Sequence, residues 1–159
     1  MFIPQSFLFF FTDIGVSVFS LLDLASNTHL RAVTPGEELD LDALEAEYGT
    51  RQFTIVCNTT GPVESASLES EVSTGDASSV QDATYNGLPF PMPHSQLSTG
   101  AWTVTCEPFC RDDLQGASGG VAELEFTVTE LDCTTCVAAC ISIVGMLNLH
   151  KMYSRLFDF

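Results

Sequence analysis

The sequence predicts an all-β fold, an antiparallel β-sandwich followed by a C-terminal hydrophobic helix. Apolar and polar residues alternate with period two over several short segments, which is the pattern of strands with one dry and one wet face. Turn-forming Asn, Gly and Pro residues punctuate those segments, and no helical stretches alternate with them as they would in a βαβ fold. Finally, residues 133–149, CTTCVAACISIVGMLNL, carry no charge.

The first segment, residues 1–13, is apolar and aromatic up to Phe11 (MFIPQSFLFFF). It reads either as a signal-peptide remnant or as a truncated start running into the first strand. The signal reading lacks a basic leading region and a small-residue cleavage site. Residues 15–23, GVSVFSLLD, form a strand with Phe19 and Leu21 on one face, and residues 30–33 return after an Asn27-Thr28 turn. The acidic run Glu37, Glu38, Asp40, Asp42, Glu45 and Glu47 interleaves with Leu39, Leu41 and Leu44, giving a strand that ends in one helical turn. Its carboxylates suit a solvated face. A calcium site would need several converging oxygens, and no Asp-x-Asp-x-Asp-Gly loop is present.

Residues 52–58 are a strand with Phe53, Ile55 and Cys57 on one face, and residues 63–72 a weaker one with Glu64, Ala66, Leu68 and Ser70 aligned. Residues 73–79 read as loop. Residues 85–94, with three prolines, supply an edge strand or an extended crossing. Residues 97–130 are the organising stretch: a strand with Trp102, Val104 and Cys106 on one face, a glycine-rich hairpin turn, and a strand with Leu124 and Phe126 facing the same way. Phe19, Leu21, Ile55, Trp102, Val104, Leu124 and Phe126 are therefore the expected core anchors.

Composition narrows the function classes. The chain has 159 residues, enough for one domain with short appendages, and 45% hydrophobic content with mean hydropathy +0.22 excludes a disordered chain. Five basic against 21 acidic residues give a net charge of −16, which repels phosphate backbones and excludes nucleic acid as a partner. After Asp132 the character changes. Residues 132–149 are the candidate transmembrane or docking helix, whose uncharged part, residues 133–149, spans roughly 26 Å at about 1.5 Å per residue. Residues 150–159 are a short tail with Lys151 and Arg155, a positive flank that would place the sandwich outside the cell.

The body, residues 14–131, resembles Ig-like β-sandwich repeats of large cell-surface and secreted adhesion-type proteins of bacteria and algae. The residues that carry the resemblance are Phe19 to Asp23, Leu30-Arg31, Gly36 with Leu39-Asp40-Leu41 and Leu44, and Phe53-Thr54-Ile55. Gly61 to Ser65, Leu88-Pro89-Phe90, Gly100 to Val104, Pro108-Phe109, the Gly116 to Gly120 loop and Leu124 to Val128 complete the series. The resemblance implies an Ig-like, non-enzymatic structural or adhesive module, with no catalytic residues to carry over. The chain departs from antibody-type domains: Trp102 precedes Cys106 on the same strand, and Val104 occupies the position of the corner tyrosine.

Cysteine and polar constellations leave alternatives open. Cys57 and Cys106 lie on apolar strand faces, and a bridge between them would stabilise by roughly 3–4 kcal/mol. A Cys106–Cys110 bridge, or buried free thiols, are the competing arrangements. Any bridge among these would indicate an oxidising compartment. Cys133, Cys136 and Cys140 have thiolate-ligand spacing but no fourth ligand, so no metal or cofactor is expected there. Asn58-Thr59-Thr60 is an N-glycosylation triplet. Gly116-Ala117-Ser118-Gly119-Gly120 matches a nucleophile-elbow pattern, with Asp132 and His150 downstream. That chemistry needs a strand-to-helix elbow, whereas an alternating strand follows here. His29 and His94 read as surface loop residues.

These readings converge on a non-enzymatic module at the cell surface, membrane-tethered, with other protein modules or surface glycans as partners. A carbohydrate-contacting accessory module is the alternative, with Trp102, Phe90 and Tyr85 as stacking candidates.

Overall fold

The computed structural model describes residues 13–130, and the readings of the apolar N-terminal segment, the hydrophobic helix, Cys133, Cys136, Cys140, Asp132 and His150 lie outside them. The described body is a two-sheet, sandwich-like all-β unit with one short helix. In chain order it comprises β1 (Gly15–Asp23), β2 (Thr28–Val33), β3 (Glu37–Asp40), α1 (Leu41–Tyr48), β4 (Phe53–Thr60) and β5 (Ser65–Thr74). β6 (Ala77–Asn86), β7 (Phe90–Pro91), β8 (Gly100–Arg111), β9 (Gln115–Ser118) and β10 (Ala122–Thr129) complete it.

One sheet has the order β2-β1-β4-β7, all antiparallel. The other has the order β3-β10-β8-β5-β6, with β9 also pairing with β8. Its pairs are antiparallel except β3 and β10, which run parallel, so the sheet is mixed rather than purely antiparallel as expected. The chain enters the first sheet with β1 and β2, crosses to the second with β3, and returns through α1 to β4.

Alternation dictates the core. Phe19 and Leu21 of β1, Phe53, Ile55 and Cys57 of β4, Ala66, Leu68 and Val72 of β5, Trp102, Val104 and Cys106 of β8, and Leu124, Phe126 and Val128 of β10 meet in one buried cluster. All seven expected anchors lie in it. Trp102 stacks on Phe126 at 6.1 Å and donates from Nε1 to Ser98 O at 2.8 Å, which satisfies its polar edge inside an apolar layer.

α1 is longer than the single turn expected. The Asp40 carboxylate caps it, accepting from Asp42 N at 2.9 Å and Ala43 N at 3.2 Å, and Gly49 closes it in the left-handed conformation. Leu41 and Leu44 enter the core, and Arg51 reaches back to Asp42 and Glu45, holding the acidic outer side.

Two expectations about turns are corrected. Residues 73–79 are not a loop: β5 and β6 form a long hairpin turned by Gly75-Asp76 alone, with Thr74 opposite Ala77 and Gly75 at φ +61°. β6 escaped the sequence reading because it is exposed along nearly its whole length and so lacks an apolar alternation. The reversal after β8 is not made by glycines. It occurs at Asp112-Asp113-Leu114, with Asp113 and Leu114 at φ +55° and +58°.

The glycine-rich stretch lies beyond that reversal. β9 pairs with the C-terminal part of β8 and β10 with its N-terminal part, so the two form one interrupted return strand. At the interruption a Cβ on Gly119 would stand 2.6 Å from Ile14 O and 2.9 Å from Gly15 Cα. Glycine is needed here because the backbones of the two sheets touch.

Candidate functional site

Cys57 on β4 and Cys106 on β8 are joined by a disulfide across the two sheets, with Cα atoms 6.5 Å apart and both residues buried. Alternation places both sulfurs inward, one from each layer, and the pairing resolves the three arrangements left open by the sequence. Cys110, near the end of β8 where its pairing with β9 shifts register, is free and half-buried. Its Sγ accepts from Ala117 N at 3.2 Å, so it is the return strand β9 that the thiol contacts.

Ser118 is an exposed residue of β9, and Gly120 N donates to its Oγ at 3.2 Å. Strand precedes and strand follows, so the elbow that would project a nucleophile is not formed by these residues. Trp102 and Phe90 are buried in the core, and Tyr85 packs against its margin. Neither Trp102 nor Phe90 presents an open ring face of the kind on which a sugar stacks, and Tyr85 is half-buried.

Asn58 is half-buried on β4. Its Nδ2 donates to Ser20 Oγ at 2.7 Å and Val18 O at 3.2 Å, so the nitrogen of the glycosylation triplet is engaged in cross-strand bonds. Ser20 Oγ in turn lies 3.0 Å from His29 Nδ1, and His29 belongs to β2 rather than to a loop. The first sheet thus carries a polar ladder Asn58–Ser20–His29 on the face away from the core.

His94 is not a surface residue. It is 9% exposed, because the segment after β7 folds inward. Its ring meets Trp102 edge-to-face at 5.1 Å, Nδ1 lies 2.6 Å from Ser70 Oγ, and Nε2 lies 3.5 Å from Ser79 Oγ. His94 N–H also donates to Ser70 Oγ at 3.4 Å. Burial holds the imidazole below its ordinary pKa of 6.5. A serine–histidine pair invites a catalytic reading, but Ser70 is wholly buried, and among the described residues the ring's hydrogen-bond partners are the hydroxyls of Ser70 and Ser79 rather than a carboxylate.

The acidic run divides into capping and pairing roles. Glu37 accepts from Thr34 N at 2.8 Å and pairs with Arg31. Burial would raise its carboxyl, but these bonds offset it and hold the group below the usual range. Among the described residues no group of three or more His, Cys, Asp and Glu side chains is placed to hold a metal ion.

The outer face of the second sheet is the most distinctive surface. Glu69 and Glu71 of β5 flank Thr105 and Thr103 of β8, which are flanked in turn by Glu123 and Glu125 of β10. Asp82 of β6 stands directly opposite Glu69. Strand spacing of about 4.8 Å turns this into rows of carboxylates separated by a threonine column. A shallow depression of 320 Å³ lies between β8 and β10, lined by Gly36, Ala101, Trp102, Thr103, Glu125, Phe126 and Thr127. It holds two threonine hydroxyls and one carboxylate, without a partnered base or nucleophile. The chain matches no protein-family model, and no curated protein is significantly similar to it in sequence. Among the described residues no helix is long and apolar enough to cross a membrane.

Proposed function

We propose that the chain is an Ig-like, non-enzymatic structural or adhesion module displayed outside the cell and tethered by its apolar C-terminal segment. The observation that carries the reading is the Cys57–Cys106 bridge across the two sheets. Disulfides persist in oxidising compartments, and this one is buried in the core rather than exposed as a labile redox pair. The strand arrangement supports the Ig-like part. β4 and β8 take the places of strands B and F, whose inter-sheet disulfide marks Ig-type sandwiches, while β10 and β5 flank β8 as G and C flank F. The tryptophan departs from that pattern by sitting on β8 itself.

Other protein modules are the partners this reading favours. The carboxylate rows of the second sheet repel polyanions and attract basic surfaces. Burial of Trp102 and Phe90 removes two of the three stacking candidates of the carbohydrate alternative.

The test is carried out in the cells that produce the protein. An impermeant amine-reactive label is applied to intact cells, and thiols are blocked before lysis. Surface labelling, a blocked-thiol map that spares Cys57 and Cys106, and retention in the alkaline-washed membrane pellet are expected. An unlabelled cytosolic protein with both thiols alkylated would overturn the proposal, and release from the pellet would remove the tether alone.

A further inference from the structure

The second sheet ends on β6, and this edge is built unlike the other sheet ends. Those are β3, four residues with Glu37, Glu38 and Asp40; β7, two residues ending in Pro91; and β2, which carries Arg31 and shifts register against β1. Short length, charge, proline and irregular pairing keep an edge from recruiting another strand. β6 instead runs ten residues, ASSVQDATYN, without proline, lysine or arginine, and pairs with β5 in unbroken register. Among the described residues no strand pairs with its outer side. The two-residue turn Gly75-Asp76 makes Thr74 and Ala77 a hydrogen-bonded pair, and bonded and non-bonded pairs alternate from there. Ala77, Ser79, Gln81 and Ala83 therefore direct their N–H and C=O groups to β5. Ser78, Val80, Asp82 and Thr84 direct theirs outward, and all four residues are exposed.

We propose that the β6 edge takes up an extended segment of a protein partner as an added strand, one with basic side chains on the face it shares with Asp82. The outward N–H and C=O groups, recurring every second residue, supply the main-chain bonds. Charge selects the occupant. Asp82 stands opposite Glu69, with Glu71 on the same face of β5, and residues 65–86 contain no lysine or arginine. A Lys or Arg set beside Asp82 by the added strand offsets the repulsion between these carboxylates. A second copy of the chain would bring the same carboxylates and a net charge of −16, which opposes self-pairing at this edge. Such pairing does not depend on the adhesion reading, because surface labelling reports where the chain resides and strand addition reports what its edge binds.

The probe is a fluorescent peptide that alternates lysine with threonine, added to the full chain and followed by anisotropy and by amide hydrogen exchange. Binding is expected to slow exchange at Ser78, Val80, Asp82 and Thr84, and to leave Ser79, Gln81 and Ala83, already bonded to β5, unchanged. The same peptide N-methylated at alternate amides keeps its charge but loses its edge donors, and is expected to bind at least tenfold more weakly. A version with glutamate in place of lysine is expected to bind at least tenfold more weakly as well. Val80→Pro removes an outward N–H at a position where an edge strand tolerates proline, and is expected to weaken binding at least tenfold while the β-type circular dichroism is kept. Should that variant unfold, the methylated peptide carries the test on the unaltered chain. Absence of binding, protection confined to other strands, or equal binding of the methylated or glutamate peptide would overturn the proposal. So would a dimer of the chain in which these four amides are protected without peptide.

Discussion

His94, Gly119 and Thr54 are single residues whose surroundings set measurable consequences. Burial disfavours the charged imidazole of His94, so its folded pKa lies below the value of 6.5 that the unfolded chain shows. Between those two values the unfolded state binds more protons than the folded one, and stability therefore falls as pH falls below about 6.5. Urea denaturation at pH 5 and pH 8 checks this, and His94→Gln is expected to flatten the difference. At Gly119 a methyl group would collide with the Ile14–Gly15 backbone, so Gly119→Ala is expected to cost about 1–3 kcal/mol in the same assay. Thr54→Val removes a buried hydroxyl that has no partner and is expected to stabilise by about 1 kcal/mol. None of the three environments is legible from the sequence. His94 follows a proline-rich stretch that suggests a surface crossing, and Gly119 occupies only the variable position between the serine and last glycine of a nucleophile-like pattern.

At the scale of elements, legibility follows burial. Strands β1, β4, β8 and β10 announce themselves because each contributes a row of apolar residues to a dry face, and their inward residues are the ones expected. β6 is silent, since an edge strand wet on both sides has no reason to alternate. Its position against β5 was nonetheless consequential, because it sets Asp82 opposite Glu69. Like charges directly opposite on neighbouring strands repel. Asp82→Thr is expected to raise stability by about 0.2–1 kcal/mol at low salt, with the gain shrinking as salt is added. Thermal unfolding at two ionic strengths measures it. β9 and β10 show a different kind of ambiguity. The glycines between them read as a hairpin turn, whereas Asp113 and Leu114 take the left-handed conformations and the glycines serve a close approach of the two sheets.

For the whole molecule, the Cys57–Cys106 bridge ties the two layers at their centre. Its separation of 49 residues restricts the unfolded chain, and Cys57→Ala with Cys106→Ala is expected to lower stability by about 3–4 kcal/mol. Comparing urea midpoints of the bridged chain and the double variant tests this. A loss well below about 2 kcal/mol would mean that packing of the Trp102 layer, not the covalent link, holds the sheets together.

Alternation, turn residues and charge balance are local properties, and they were sufficient to determine an all-β body with a core built on Phe19, Leu21, Ile55, Trp102, Val104, Leu124 and Phe126. Which cysteines pair, which sheet each strand joins and which polar residues are buried depend on contacts between segments far apart in the chain. Cys106 lies four residues from Cys110 yet bonds Cys57, because alternation turns Cys106 and Cys57 toward the same interior from opposite layers. His94 likewise became a core residue only when its segment closed over Trp102. The sequence pattern specifies which face of each strand is dry. Only the packing of one sheet on the other decides what that face meets.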